Sequence, residues 1–494
     1  MISWLIIILN GFFLSFILIY SIVQIFLTVK YLRFRRHRFD AREELGEYPM
    51  VTIQLPVYNE KYVVERLIDA VVGFDYPREK LEIQVLDDST DETVSIVRDC
   101  IARYSAQGYK IRQVMRPDRV DFKAGALKYG LAQSEGAFVA IFDADFIPPA
   151  DFLVKTLPYF QDDRVGVVQT RWGHLNESYS VLTQLQAYAL NAHFTIEQTG
   201  RNLGDHFINF NGTAGIWRRA TIEDAGGWEG DTLTEDLDLS YRAQLKGWKF
   251  QYLEEVISLA ELPAEMNALR SQQFRWAKGA AECTRKNLGK VFRSPNETFG
   301  TKLHALFHLL NSFVWVCLLG SALLLMPFQY VVNTHDSLHT YLNVFIIFEV
   351  SFFLLLIFYF TANRVANQEA SFWKSLLLIP LYPFFLTFSM GISIYNTIGV
   401  IEGYFGKKSP FVRTPKFNIQ DKKDGFDKKS YVKFRLSPVS ILELVLFCYF
   451  TFSSYMTWQY GNYKAFLFLL MMTSGIALVF ALSVIHHLRA NQAG

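Results

Sequence analysis

Cysteine is scarce in this sequence: Cys100, Cys283, Cys317 and Cys448 stand far apart, with no CxxC pair. That spacing excludes a zinc-ribbon site and a disulfide framework, and leaves the four as inert core or bilayer residues. An excess of charge is also missing. The formal net charge of +2 over 494 residues is too small to imply a nucleic-acid partner. No internal repeat or low-complexity tract interrupts the chain. No basic residue precedes the first apolar run, roughly Ile2 to Thr28, whereas Lys30, Arg33, Arg35, Arg36 and Arg38 follow it. This is the reverse of a secretory signal peptide. Because positive charge stays in the cytoplasm, the N-terminus is expected outside and the next domain inside.

What the sequence has in abundance is apolar residues: 51% are hydrophobic and 19% charged. The apolar runs gather at the two ends, the pattern of a membrane protein with a soluble insert. Between about Tyr48 and Phe299 the composition is that of a globular domain. The runs Met50 to Leu55, Glu82 to Leu86, Lys110 to Val114 and Phe138 to Phe142 read as buried parallel strands, separated by helices such as Val63 to Gly73 and Asp91 to Ser105. This is an α/β arrangement, whose ligands bind at the carboxyl ends of the strands. After Thr301 come apolar segments near Leu303 to Pro327, Leu342 to Thr361, Leu376 to Val400, Val439 to Trp458 and Ala465 to Ile485. The stretch Lys407 to Arg435, where Lys and Arg outnumber Asp about ten to three, belongs inside. Counting every segment as a crossing would put it outside. Leu376 to Val400, broken by Pro380 and Pro383, is therefore expected to be re-entrant or interfacial, which returns the C-terminus, with His486, His487 and Arg489, to the cytoplasm. The expected parts are 1–29 (a transmembrane helix), 30–300 (the cytosolic domain) and 301–494 (the membrane region, with the in-plane segment at 375–402 and a cytosolic loop at 403–437).

Candidate chemistry lies at strand ends. Strand Phe138 to Phe142 runs into Asp143-Ala144-Asp145, two carboxylates fit to hold Mg²⁺ or Mn²⁺ on a diphosphate, although a DxD alone also suits a turn or helix cap. Strand Glu82 to Leu86 ends in Asp87-Asp88, and the first strand ends in Tyr58-Asn59-Glu60. An acid there can accept from a base N–H or a ribose hydroxyl, and Tyr58 can stack on a base. Ser89 and Asp91 read better as a helix cap. Lys123 offers a point charge for a diphosphate. Thr234-Glu235-Asp236 opens an amphipathic helix, and Asp236 is the chosen general base, with Glu235 beside it. Gln272, Arg275 and Trp276 share one helical face, where Arg275 suits phosphate oxygens and Trp276 a sugar ring.

In that order, Asp87-Asp88, Asp143-Ala144-Asp145, Thr234-Glu235-Asp236 and Gln272-x-x-Arg275-Trp276, the motifs resemble those of the processive family-2 glycosyltransferases, which include cellulose, hyaluronan and chitin synthases. Longer strings, among them Val85 to Asp91, Gln169 to Trp172, His193 to Gln198, Phe210 to Gly215 and Leu245 to Phe250, resemble the cellulose synthase-like mannan and glucomannan synthases and their bacterial relatives. The resemblance implies a GT-A-type, Rossmann-like cytosolic domain inserted in an α-helical transmembrane bundle of a bacterial plasma membrane. It implies that Tyr58, Glu60, Asp87 and Asp88 hold the nucleoside, Lys123 the diphosphate, and Asp143 and Asp145 the Mg²⁺ or Mn²⁺. It assigns Asp236 as base, Gln272, Arg275 and Trp276 to diphosphate and acceptor, and Asn211-Gly212-Thr213 to the acceptor site. Phe411-Val412-Arg413-Thr414-Pro415-Lys416 resembles the FxVTxK gating loop of cellulose synthases, with Arg413 in place of its Val.

The expected activity is inverting transfer of a hexose from UDP-glucose or GDP-mannose to a growing β-linked polysaccharide that leaves through the membrane helices. Inversion follows from one base and no second nucleophile. The expected partners are a nucleotide-sugar donor, a polysaccharide acceptor and the bilayer. A non-processive transferase acting on a membrane lipid is the rival. A transporter or receptor with an inactive soluble domain is a third reading, and it predicts that Asp236→Asn is silent.

Overall fold

The computed structural model describes residues 1–34, 45–334, 346–367, 371–409, 411–420, 424–425 and 438–492, except for the side chains of Phe372, Pro438 and residues 487–492. Arg35, Arg36, Arg38, most of the basic stretch between 421 and 437, and the side chains of His487 and Arg489 fall outside this set.

Among the described residues seven strands form one sheet: β1 (Val51–Val57), β2 (Leu81–Asp87), β3 (Ile111–Val114), β4 (Phe138–Ile141), β5 (Val165–His174), β6 (Gly215–Arg218) and β7 (Lys249–Ala260). Their order is β3-β2-β1-β4-β6-β5-β7. The four strands expected from sequence lie side by side and parallel, with β1 between β2 and β4. Strand β6 runs antiparallel to both β4 and β5. Hence the sheet is mixed, and its parallel half delivers the carboxyl ends of β1, β2 and β4 to one edge.

β1 and β2 are buried almost throughout, as a sheet covered on both faces requires. Ile53, Leu55, Ile83 and Val85 pack with helix Val64–Val72 on one face. On the other, Thr52 donates to Glu82 at 2.7 Å and Gln54 to Gln84 at 3.1 Å, so buried polar side chains satisfy one another between strands. Truncating Ile53, which is 0% exposed, to Ala would cost about 2–5 kcal/mol, because the rigid sheet cannot collapse on the cavity.

Among the described residues six helices are long and apolar enough to cross a membrane: Ile2–Phe34, Phe299–Thr334, Ile346–Ala366, Trp373–Tyr404, Val439–Gln459 and Tyr463–His486. They match the six apolar segments of the sequence, and the chain is a multi-pass membrane protein. Pro383 lies inside the continuous helix Leu378–Tyr404 and does not end it. That helix packs along both Met266–Arg293 and Tyr463–Gln492. A Cβ on Gly391 would stand 2.2 Å from the Gly475 carbonyl oxygen, so only glycine permits this backbone contact. The soluble and membrane parts are thus joined through the helix that carries Gln272, Arg275 and Trp276.

Candidate active site

The ends of β1, β2 and β4 open into a cavity of about 250 Å³. Most of the residues singled out in the sequence line it: Tyr58, Glu60, Asp88, Lys123, Asp143, Asp145, Asn211, Gly212, Glu235, Asp236, Gln272, Arg275, Trp276, Phe411, Arg413, Thr414 and Lys416. The last four come from a segment more than 100 residues beyond Trp276 in the chain.

Two residues expected here do not line the cavity. Asp87, expected beside Asp88 at the nucleoside, turns into the sheet and is 2% exposed. It accepts from the Ser89 N–H at 2.9 Å and from Gln113 at 2.7 Å. Consecutive side chains of an extended strand point to opposite sides, so only one of the pair can face a ligand. Thr213, expected at the acceptor, is buried under the DxD turn, where its hydroxyl accepts from the Asp143 N–H at 2.9 Å. A third expectation changes character. The face of Tyr58 meant for a base carries the Arg119 guanidinium, 3.4 Å from the ring centroid. Of the expected cap residues, Asp91 accepts from the Thr93 N–H at 2.9 Å, whereas the Ser89 hydroxyl accepts from the Asn59 N–H at 2.9 Å.

Lys123 donates to Asp143 and, at 2.9 Å, to the Gly212 carbonyl. Burial would lower its pKa, yet Asp143, Glu235 and Asp236 outweigh that and hold it above the ordinary lysine range. Gly212 has φ +80°, and a Cβ there would lie 3.0 Å from Asp236 Oδ2. The glycine therefore keeps the approach to that carboxylate clear. Asp236 accepts from the Leu237 N–H at 2.8 Å in the first turn of helix Glu235–Leu245. Burial, then the charge of Glu235, raise its pKa to about 7. Burial also raises Glu235, against the pull of Lys123. A carboxylate titrating near neutrality is suited to take a proton from a hydroxyl.

Asp145 pairs with Lys416 at 2.8 Å. Glu60 takes a two-bond clasp from Arg413 at 2.8 and 2.9 Å, while burial raises its pKa to about 7 against that cation. Arg275 donates to the Thr414 hydroxyl at 2.8 Å and lies 4.6 Å from the centre of the Phe411 ring. Burial lowers its pKa to about 10, so it stays charged at neutral pH. The 411–416 segment thus seats each of its polar residues on a group of the cavity wall.

The donor set fits a hard divalent cation. Asp143 and Asp145 stand two residues apart at the end of β4, each with one oxygen engaged by a lysine and, among the described residues, no hydrogen bond to the other. Seven Asp and Glu side chains line the cavity against five Lys and Arg, and a bound divalent cation would favour the ionised form of the acids that burial pushes up. The acidic trio Glu229, Asp231 and Asp238 is different, because the Lys286 ammonium reaches all three at 2.6 to 3.0 Å.

Behind Trp276 a second cavity of about 430 Å³ extends among the membrane helices, past Tyr20, Trp315, Phe352, Tyr359, Tyr382 and Phe385. Both cavities are lined by Trp172, Leu190, Asn211, Thr234, Asp236, Gln272 and Trp276. At this junction a π-type bulge, His193–Glu197, presents His193 to Asn211 at 3.1 Å and to Glu197 at 2.9 Å. Sequence reasoning missed Arg119 and Glu261. The signal for Arg119 was its place just beyond the end of β3, at the same carboxyl edge; Glu261 likewise follows β7.

Residues 49–279 match the family described as Glycosyltransferase like family 2. The chain is 33% identical over 475 residues to glucomannan 4-beta-mannosyltransferase 9 of Arabidopsis thaliana, covering 92% of this chain and 84% of that one. It is 34% identical over 434 residues to glucomannan 4-beta-mannosyltransferase 7 of the same plant, covering 86% and 75%. In fold it is similar to the mannosyltransferase PcManGT from Pyrobaculum calidifontis, solved in complex with GDP-Man and Mn²⁺, at a TM-score of 0.50 and 18% identity over 79% of this chain and all of that one. With its mixed sheet, its DxD at the end of β4 and its membrane helices, the chain belongs to glycosyltransferase family 2, in the cellulose synthase-like group.

Proposed function

We propose that this protein is a metal-dependent, inverting β-mannosyltransferase that takes the sugar from GDP-mannose and passes the growing β-linked polysaccharide through its own membrane helices. The observation that carries this reading is the junction: Asp236 and Trp276 line both the charged cavity and the aromatic one. The names of the relatives favour mannose over glucose as the transferred sugar.

The donor diphosphate would lie between Lys123 and Arg275, and the acceptor sugar against Trp276 and Asn211. Asp236 is the base rather than Glu235, since Glu235 lines the first cavity alone. As the acceptor oxygen bonds to the anomeric carbon, its proton passes to Asp236 and the bond from that carbon to the diphosphate breaks. Lys123 and Arg275 stabilise the charge that gathers on the departing nucleoside diphosphate. A Mg²⁺ or Mn²⁺ on Asp143 and Asp145 would supply further Lewis-acid stabilisation of that leaving group. Among the cavity's carboxylates Asp236 alone reaches the junction, so one displacement occurs, and an α-linked donor gives a β-linkage.

The in-plane course proposed for residues 375–402 is supported at both ends of their helix. Tyr188, on a helix of the soluble domain, reaches the Leu378 carbonyl at 3.5 Å, and Lys278 pairs with Glu402 at 3.2 Å. With that helix in plane, the loop bearing Arg413 and Lys416 lies on the same side as Glu60 and Asp145. The test is incubation of the purified protein with labelled GDP-mannose and UDP-glucose, with and without Mn²⁺, then digestion with linkage-specific hydrolases. A β-mannanase-sensitive polymer made only with Mn²⁺ is the expected product. Metal-independent synthesis would remove the role given to Asp143 and Asp145, and a lipid-linked monosaccharide would favour the rival acceptor.

A further inference from the structure

We propose that Arg119 reads the base of the donor nucleotide, and that its guanidinium fork selects guanine over uracil through the adjacent O6 and N7 acceptors. The inference rests on reading the first cavity as a nucleotide-sugar site.

Arg119 follows β3 and reaches the cavity beside Tyr58 and Asp88, the ends of β1 and β2. Aromatic rings surround it: its guanidinium lies 3.4 Å from the centre of Tyr58, 5.1 Å from that of Phe122 and 5.9 Å from that of Phe411. Phe122 and Phe411 stack on each other at 5.5 Å, which closes the cage. A planar cation held by aromatic faces keeps its orientation, with its N–H groups directed outward in the ring plane.

Among the described residues those N–H groups lack a close protein acceptor. Asp88, the nearest carboxylate, is 3.8 Å away, and Arg116 already engages both of its oxygens, at 2.8 and 2.6 Å. Arg119 Nε, which faces Asp88, is buried without a hydrogen-bond partner among the described residues, which leaves the edge formed by its two terminal nitrogens for a ligand. Arg116 and Arg119 therefore differ: the first is consumed in fixing Asp88, and the second retains its donors at the cavity wall. Because Arg119 covers the Tyr58 face, an entering base meets the edge of the fork and does not stack on the tyrosine.

Bases differ at that edge. Guanine presents two neighbouring acceptors, O6 and N7, which match a guanidinium fork, and a good bidentate contact of this kind is worth about tenfold to a hundredfold in discrimination. Uracil alternates O2, N3–H and O4, and offers no adjacent pair of acceptors.

The experiment is calorimetric titration of the detergent-purified full-length protein with GDP, UDP, IDP and 7-deaza-GDP, on the wild type and on Arg119→Ala and Arg119→Lys. The wild type is expected to bind GDP at least about tenfold more tightly than UDP. IDP, which keeps O6 and N7, should stay within about threefold of GDP, and 7-deaza-GDP should weaken by about tenfold. Both variants should bring GDP to the UDP level and leave UDP within about twofold. Equal affinity of GDP and 7-deaza-GDP for the wild type would overturn the inference without recourse to any variant. So would equal weakening of GDP and UDP in the variants. If all four nucleotides fail to bind, the nucleotide-sugar reading falls with it; if GDP and UDP bind alike, only the role of Arg119 falls.

Discussion

The first cavity is lined by seven carboxylates and five Lys and Arg side chains, most of them paired, whereas the second has no Lys or Arg among its described lining residues and is walled by Tyr20, Trp315, Phe352, Tyr359, Tyr382 and Phe385. The contrast suits the two tasks of the proposed function. Breaking a sugar–diphosphate bond concentrates negative charge at one place and needs fixed cations and a base. Moving a neutral sugar chain needs surfaces that stack on pyranose faces without gripping, and the acids Glu197 and Asp236 stand only where this cavity meets the first. The two environments share a wall of seven residues, so in the proposed function a sugar joined in one would already stand at the entrance of the other.

Changes at the shared wall should separate the two tasks most sharply. Asp236→Asn is expected to lower kcat by about 10²–10⁴-fold with little change in donor KM, read in an initial-rate assay. The third reading, an inactive domain, predicts no change. The pH profile gives the sign: only the deprotonated carboxylate accepts a proton, so wild-type kcat/KM should fall as pH drops through about 7. A profile flat between pH 6 and 8 would count against Asp236 as base.

Trp315→Ala, on the membrane side alone, should leave nucleotide affinity unchanged and shorten the polymer, measured by size-exclusion of labelled product. A loss of GDP affinity equal to the loss of length would break the division between the cavities.

Lys416→Ala removes the ammonium that pairs with Asp145. It should tighten Mn²⁺ binding in the absence of nucleotide by about tenfold, read by electron paramagnetic resonance, since a neighbouring like charge disfavours a cation. Unchanged affinity would show that Asp145 does not hold the metal.

The smallest effect is expected at Asp87→Asn. Its carboxylate serves Ser89 and Gln113 inside the sheet, so stability should drop by about 1 kcal/mol, seen as a lower Tm, with nucleotide affinity intact. Asp88→Asn, by loosening Arg116, should weaken nucleotide binding instead.

Much of this was legible in the sequence for a physical reason. Buried parallel strands announce themselves as short apolar runs, and each run ends at the edge where ligands bind, so Asp88, Asp143 and Asp145 were found by following β2 and β4 to their ends. Gln272, Arg275 and Trp276 follow from helical spacing, and Glu235 and Asp236 from the acidic start of an amphipathic helix. What escaped depends on direction rather than composition. Asp87 and Asp88 are alike on paper, and only the pleat of β2 sends one inward. Thr213 reads as a site residue until its hydroxyl is seen under the Asp143 N–H. Arg119 carries no motif, and its importance lies in the rings of Tyr58, Phe122 and Phe411, of which Phe411 is almost 300 residues away. The departure at Arg413 has a partner in Glu60, a pairing across 353 residues that no local pattern contains.

The most direct test of a catalytic site opening into a membrane path uses inverted membrane vesicles carrying the protein, given labelled GDP-mannose and Mn²⁺ on the outside. The account predicts polymer in the lumen, resistant to added β-mannanase until detergent opens the vesicles. Polymer digested at once without detergent, or label found only in extracted lipid, would contradict it.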